Sequence, residues 1–358
     1  MFRTVMALMR IRAWQSTMVI WFDSSVRAIK YPSKSSNECE SMRVLVTGGA
    51  GFLGSSLVEA LVESGHDVLV LDNCWRGRRE NLKAVEHDIV FIEDDACQAS
   101  SYERIQDSDS IDIVYHLAAI NGTKWFHEEA RMVMDINLNS TLASLQFAEQ
   151  HNARYVFTSS PEAYGESEIM PLGGDESSVF SAPSQHQRHA YGASKYLGEV
   201  AVHHAIRHGL DARIVRPFNG YGPRLLGDEY GQVVSMMMKS ALDQGVVVVH
   251  GDGRQTRSLT HVDDLVRGIQ QAGELEDLSG MVFNLGSECE ITMLELAQQI
   301  SRLVHQETGI LPELVFEQGY PGDSKRRTPN LDTARETLTW TAEISLVQGL
   351  LQSLRSML

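Results

Sequence analysis

Residues 43–73 read "RVLVTGGAGFLGSSLVEALVESGHDVLVLDN". Aliphatic and β-branched residues run from Arg43 to Thr47, and Gly48, Gly51 and Gly54 follow at three-residue spacing. A helix-like stretch covers 52–64, and a second apolar run, 67–71, ends at Asp72. Strand, glycine turn, helix and strand is the order that a dinucleotide phosphate needs. Gly48 permits a tight turn, Gly51 lets the backbone approach a pyrophosphate, and Gly54 lets helix and strand pack closely. The helix N-terminus adds N–H donors and a positive dipole. Asp72, eighteen residues after Gly54, is placed to accept both ribose hydroxyls. Its charge repels a 2′-phosphate, which favours NAD over NADP. Arg76, Arg78 and Arg79 follow closely and pull the other way. The plain alternative is a packing turn with a surface aspartate.

Outward from this stretch, short apolar runs alternate with amphipathic segments. The pattern predicts strands at 43–47, 67–71, 89–92, 112–116, 154–158 and 211–216, and helices at 52–64, 128–150 and 191–208. Alternating elements with buried-type strands imply an α/β fold, a Rossmann-type doubly wound parallel sheet with helices on both faces. After residue 217 the order is less regular. Pro217, Gly220, Gly222, Pro223 and Gly227 punctuate a loop. Helices near 230–244, 262–274 and 293–305 are separated by the strand-like runs "VVVVH" and "MVFNLG". The reading is a 42–216 cofactor-binding domain and a smaller α+β substrate-binding lobe, 217–358, over the sheet's carboxyl edge. No internal repeat or low-complexity tract interrupts the chain.

The 358 residues suffice for a large buried core, and 43% hydrophobic with 22% charged residues is an ordinary globular composition. A net charge of −16 excludes a general nucleic-acid surface. Cys39, Cys74, Cys97 and Cys289 are dispersed with no CxxC pair. No metal site or dithiol motif is expected from them, and reduced thiols in the cytoplasm are the default. The first 41 residues carry six basic and three acidic residues, a net +3, so the remainder carries −19. Their apolar stretch "MVIWF" is too short to span a bilayer. They read as a disordered extension or the product of an upstream start codon, since Met42 directly precedes the first strand; an Arg-rich targeting leader is the alternative.

"YGASK" places Tyr191 and Lys195 four residues apart on one helix face. An ammonium beside a phenol favours phenolate and lowers its pKa. Such a tyrosine takes a proton from a sugar hydroxyl while hydride leaves the same carbon. Alone, Tyr-x-x-x-Lys is more often two partly exposed helix residues. Here "YVFTSSPEAYG", 155–165, reads as a buried strand ending in Ser159, Ser160 and Glu162, at the edge where ligands sit in such sheets. Ser160 is suited to hydrogen-bond the reacting oxygen; the bland reading is a cap or turn hydroxyl.

Taken together, "TGGAGFLG", "LDN", "HLAA", "YVFTSSPEAYG", "YGASK" and "RPFNGYGPR" resemble the extended short-chain dehydrogenase/reductase family, in its nucleotide-sugar epimerase, dehydratase and decarboxylase group. The similarity runs from about residue 43 to the C-terminus and includes "GDGRQTRSLTHVDDLVRGI", "FNLGS" and "KRRTPNLDTARETLTW". The resemblance implies NAD as cofactor, held by Gly48, Gly51, Phe52, Leu53, Gly54, Asp72, Asn73, Asp95, Ala96, Leu117, Ala118, Ala119, Tyr191 and Lys195. Asp95 matches the carboxylate that meets the adenine amine, with neighbouring Asp94 leaving the register open. It implies Ser160, Glu162, Tyr191 and Lys195 as catalytic residues. Asn219, Arg257 and Arg327 would face the diphosphate of a nucleotide-diphosphate sugar. The bland alternatives are a pairing of Arg257 with Asp263 or Asp264, and a solvated Arg327. A homodimer through the Tyr191 helix and the preceding long helix is also implied. Leu142, Leu145 and Ala148 are candidates for that contact, although such spacing is more often core.

The chemistry implied begins with oxidation at sugar C4 to a 4-keto sugar. Glu162 bears on the second step. A 4,6-dehydratase of this group carries an Asp-Glu pair, acid then base, and Pro161 here has no proton to give. Decarboxylases of nucleotide-sugar uronates tend to carry a hydroxyl residue, Ser and Glu, and Ser160-Pro161-Glu162 lies nearest to that, with Pro161 as the departure. The segment "HLAAINGTKWFHEEA", with Lys124, Trp125 and His127, departs from the Pro-rich stretch typical of UDP-xylose-forming enzymes. The expected activity is therefore UDP-glucuronate decarboxylation. A 4-epimerase is second, a 4,6-dehydratase third, and an NAD-binding sensor or scaffold is the non-enzyme alternative.

Overall fold

The computed structural model describes residues 41–105, 110–228, 231–319 and 324–358. The expectations for residues 1–40 lie outside this range. Seven parallel strands form the central sheet: β1 (Arg43–Thr47), β2 (Asp67–Asp72), β3 (Ile89–Glu93), β4 (Ile113–His116), β5 (Arg154–Thr158), β6 (Ala212–Pro217) and β7 (Val282–Leu285). Their spatial order is β7-β6-β5-β4-β1-β2-β3. The order reverses between β1 and β4, which is where open α/β sheets bind ligands at their carboxyl ends.

The central strands are buried because both faces are covered. Val44, Val46, Val68 and Val70 join one apolar cluster with Leu57, Val58 and Leu61 of α1 (Phe52–Glu63). Leu45, Leu69, Tyr155 and Phe157 point the other way. That face packs against α2 (Ala130–His151) and α3 (His189–Arg207), through Leu145, Ala148, Val202 and Ala205. A Cβ on Gly198 would stand 2.5 Å from the Phe157 ring, so a side chain there would push α3 off the sheet.

Segments beyond residue 217 serve two layers. The helix α4 (Val262–Glu274) and β7 return to the first cluster and the sheet, with Val215 paired to Phe283. Trp340 is fully buried there, its Nε1 donating to the Asp264 carbonyl at 2.9 Å. The periodicity at "MVFNLG" marked a strand but not its partner. A separate cluster holds Met237, Met238, Val247, Val249, Leu296, Ile300 and Leu350. It packs the helix Val233–Gln244 and the helix Met293–Thr308 around the parallel pair Val246–His250 and Glu313–Glu317. Among the described residues, no helix is long and apolar enough to cross a membrane.

Candidate active site

The glycine turn is built by sterics. Gly48 has φ +73°, and a Cβ on it would stand 2.6 Å from the Ala118 amide nitrogen. A Cβ on Gly54 would stand 2.1 Å from the Gly48 carbonyl oxygen. Larger residues at either position would break the approach of β1, α1 and the chain after β4. Gly51 caps α1, and no acidic residue occupies the first turn, so the positive end of the helix is left for an anion.

Asp72 braces this turn. Its two carboxylate oxygens accept the Ala50 amide at 2.9 Å and the Cys74 amide at 2.8 Å. Burial raises its pKa, against the lowering effect of those two bonds. The residue also lines the cavity, so remaining lone pairs are available to a ribose. Of the flanking arginines, Arg76 pairs with Asp228 at 3.1 Å and Arg79 lies over the Phe91 ring. Asp95 lines the cavity, whereas Asp94 bonds Arg104 at 3.0 Å.

One cavity of about 460 Å³ runs along the carboxyl ends of the strands. Gly48, Gly51, Phe52, Leu53, Gly54, Asp72, Asn73, Asp95, Ala96, Leu117, Ala118 and Ala119 line one part of it. Ser160, Glu162, Tyr191, Lys195 and Asn219 are also among its lining residues. The fit to a dinucleotide is shown by the glycine cradle, which a Cβ would fill, and by an acidic residue at the end of β2.

Tyr191 and Lys195 lie in the first turns of α3, 5% and 3% exposed. A Cβ on Gly192 would meet the Glu162 carbonyl at 2.2 Å, so glycine is what lets α3 start against the Ser160 turn. Phe126, in the helix Thr123–Glu128, stacks on the Tyr191 ring at 4.9 Å and 12°. The expectation that Lys195 lowers the Tyr191 pKa is not what the geometry gives. Burial pushes the phenol well up, opposed by a hydrogen bond from Ser160 and reinforced by the Glu162 charge. Lys195 Nζ donates instead to the Thr158 carbonyl at 2.8 Å and lies 5.9 Å from the Tyr191 ring centre. Burial brings the ammonium itself down to about 7, against the Glu199 charge. The Ser160 Oγ caps the turn by accepting the Glu162 amide at 3.2 Å, and the residue also lines the cavity.

Glu162 stands among arginines. Arg327 donates a short hydrogen bond to Glu162 Oε1, and Arg188 Nη2 lies 3.7 Å from the same oxygen. Burial alone would raise this carboxyl, but the charges of Arg327 and Arg188, the Arg327 hydrogen bond and the charge of Arg257 bring it down to about 2. Arg327 also donates to the Gly165 carbonyl at 3.1 Å and is 6% exposed. It is not a solvated residue, and with Arg257 it lies outside the cavity lining. Arg257 Nη1 donates to the Ser324 and Thr256 carbonyls. Asn219 has φ 39° and donates its side chain to the Ser258 carbonyl at 3.0 Å.

Three parts of the site had no legible signal. Arg188 sits three residues before Tyr191, yet an arginine there reads as any helix-start cation. Phe126 lay in a segment where only its polar neighbours and Trp125 drew notice. Glu199 takes a bidentate bond from Arg216, at 2.8 and 2.6 Å, and the Ser159 hydroxyl, and thereby clamps α3 to β5 and β6. A buried acid one turn after Lys195 is indistinguishable in sequence from a surface one.

The comparisons with known proteins agree with this geometry. The family model for the NAD dependent epimerase/dehydratase family matches residues 44–286. The UDP-N-acetyl-alpha-D-glucosaminuronate decarboxylase of Bacillus cytotoxicus is 33% identical over 316 residues, 87% of this chain and 97% of that protein. UDP-glucuronic acid decarboxylase 1 of Arabidopsis thaliana is 33% identical over 314 residues, 86% of this chain and 68% of that protein. The structure resembles UDP-glucose 4-epimerase of Thermotoga maritima, solved with UDP-glucose. The TM-score is 0.80 at 30% identity, covering 88% of this chain and 98% of that one. A dinucleotide cradle at the switch point, a Ser-Tyr-Lys group beside it and these matches place the chain in the NAD dependent epimerase/dehydratase family.

Proposed function

We propose that the protein decarboxylates a UDP-linked uronic acid through a transient 4-keto sugar. The observation that carries this reading is the pairing of Glu162 with arginines beside the Ser160, Tyr191 and Lys195 group. A carboxyl held at about 2 is an anion at neutral pH and has no proton to donate. Pro161 before it has none either. Dehydration across C5 and C6 needs a proton for the leaving hydroxyl; loss of CO₂ from a β-keto acid does not. The relatives that are 33% identical are themselves uronate decarboxylases by name.

The glycine cradle and Asp72 would hold NAD, which would supply a hydride acceptor at C4 and be regenerated within one turnover. Tyr191 exchanges the proton of the C4 hydroxyl, and Ser160 hydrogen-bonds the same oxygen. Lys195, poised at about 7 one helical turn away, is the group able to balance that proton at neutral pH. With C4 oxidised, the C5–C6 bond breaks, CO₂ leaves, and its electron pair is held as the C4 enolate. A proton then adds at C5, and reduction of the C4 carbonyl would give a UDP-pentose. Asn219 and the 217–358 region hold the nucleotide sugar, and Arg257 and Arg327 set the charge of the wall behind it. Arg327 acts on Glu162 in this arrangement rather than on the diphosphate.

Two copies pair through α2 and α3 in this reading. Leu142, Leu197 and Val200 are 45%, 48% and 49% exposed and line one concave apolar face, with Leu145 at its floor, while Ala148 is spent in the chain's own core. The compartment expected is the cytoplasm, with Cys74, Cys97 and Cys289 as reduced thiols. The test of the reaction is product mass after incubation with UDP-glucuronate, UDP-glucose and dTDP-glucose. Loss of CO₂ from the uronate supports the reading. An isobaric product assigns 4-epimerisation, the second reading, which the Thermotoga maritima likeness favours. Loss of water assigns dehydration, and no change despite bound NAD removes the enzyme reading.

A further inference from the structure

Glu166, His186 and His189 converge outside the cavity, with their ligand atoms all within 4.8 Å of one another. Glu166 Oε1 lies 3.0 Å from His189 Nε2 and 3.4 Å from His186 Nε2. Ligands about 2.1 Å from a tetrahedral zinc-like ion stand about 3.4 Å apart, so these separations need little adjustment. The Ser181 hydroxyl is 3.2 Å from His186 Nε2 and offers an adjacent oxygen. The two imidazoles are 11% and 13% exposed and the carboxylate 39%, so the site is walled by nitrogen and open to water on the acidic side.

The scaffold is fixed on each side. Glu166 follows the short turn Pro161–Tyr164, and its amide donates to the Val179 carbonyl at 2.7 Å. A Cβ on Gly165 would stand 1.9 Å from that carbonyl, which keeps the two strands of chain in contact. His189 opens α3, with the Phe180 ring edge-on at 5.3 Å. Among the described residues, neither Nδ1 has a hydrogen-bond partner. Each ring presents its Nε2 to Glu166, and on cation binding the ring proton would sit on Nδ1, leaving the Nε2 lone pair to ligate. Two imidazole nitrogens and one carboxylate oxygen suit a borderline divalent ion and suit magnesium or calcium poorly.

We propose that Glu166, His186 and His189 bind one divalent transition-metal ion of the zinc type, which braces the segment leading through Arg188 to Tyr191. Arg188 lies between the two histidines in sequence and faces Glu162. The ion's role is structural and does not depend on which sugar reaction the cavity performs.

The test uses the full, tag-free chain, stripped with EDTA and titrated with zinc alone by calorimetry. One zinc per chain is expected, at micromolar Kd or tighter, with Tm raised by about 5 °C at 100-fold excess over Kd. His186→Asn and Glu166→Gln should each weaken binding at least tenfold and cancel the Tm rise. His87→Ala, at a side chain 91% exposed and away from the cluster, should change neither. Absence of stoichiometric uptake by the wild-type chain overturns the proposal outright. So does uptake that survives either substitution at the site undiminished. If one variant fails to fold, the other still locates the ion.

Discussion

Arg327 and Glu162 are 165 residues apart in sequence and share a charge-assisted hydrogen bond. The turn after β5 and the C-terminal segment thus meet at one carboxylate, which Arg188 approaches from the start of α3. Cutting that link should show in both stability and rate. Glu162→Gln removes the negative charge beside two buried arginines, Arg327 and Arg188. The expected loss is about 1–3 kcal/mol, below that of a fully buried pair because the Glu162 side chain is 20% exposed. Turnover should fall while NAD binding holds. The carboxyl is depressed, so its contribution is present above the usual value of 4.5 and is lost as pH falls toward about 2. Urea midpoints at pH 5 and pH 3.5 should therefore drop less for the variant than for the wild type. Equal drops would remove Glu162 from this role.

Tyr191→Phe keeps the ring that Phe126 stacks on and removes only the hydroxyl. Its fold and NAD affinity should match the wild type. Turnover should fall by about 10²–10⁴-fold, the usual worth of positioned proton transfer. Equilibrium dialysis with NAD beside a CO₂-release assay separates the two, and retained turnover would assign the proton elsewhere.

Gly54→Ala tests the cradle by a single methyl group. Its Cβ would lie 2.1 Å from the Gly48 carbonyl oxygen, backbone that cannot yield without moving the turn. Overpacking of this kind costs about 1–3 kcal/mol. The displaced turn should also lose NAD affinity by tenfold or more. Gly65→Ala is the control, since a Cβ there has nothing within 4 Å, although its φ of +88° brings a local backbone cost. It should leave NAD binding unchanged.

The sheet was legible because its code is local. Each of the first six strands is a short apolar run bounded by turn residues, and β1 and β2 hold the cradle within thirty residues. Pairing over long range was not legible. Val282–Leu285 reads as a strand anywhere, and only the fold shows that it extends the central sheet beside β6. The same limit governs charge. Arg327 announced itself as a cation, but its partner lies 165 residues away, and no spacing rule connects them. For Tyr191 and Lys195 the helix face was correct and the electrostatics were not. Their four-residue spacing fixes a common face but leaves the Thr158 carbonyl, which takes the ammonium, out of view.

Lys195 should leave a signature in the pH dependence of stability. Burial brings its ammonium from 10.5 to about 7. Between those values the unfolded chain holds a proton that the folded chain has shed. Stability must then rise with pH across that window, and the cost of burying the charge is fully present below pH 7. Lys195→Met keeps the length and apolar volume and removes the charge. The variant should be more stable than the wild type at pH 7 by about 1–4 kcal/mol, although it gives up the bond to Thr158 and loses turnover. Its stability should also lack the rise between pH 7 and pH 10 that the wild type shows. Denaturant midpoints at pH 7, 8 and 9 measure both effects. A variant that keeps the wild-type slope would mean that another group titrates there, and that Lys195 stays charged in the folded protein.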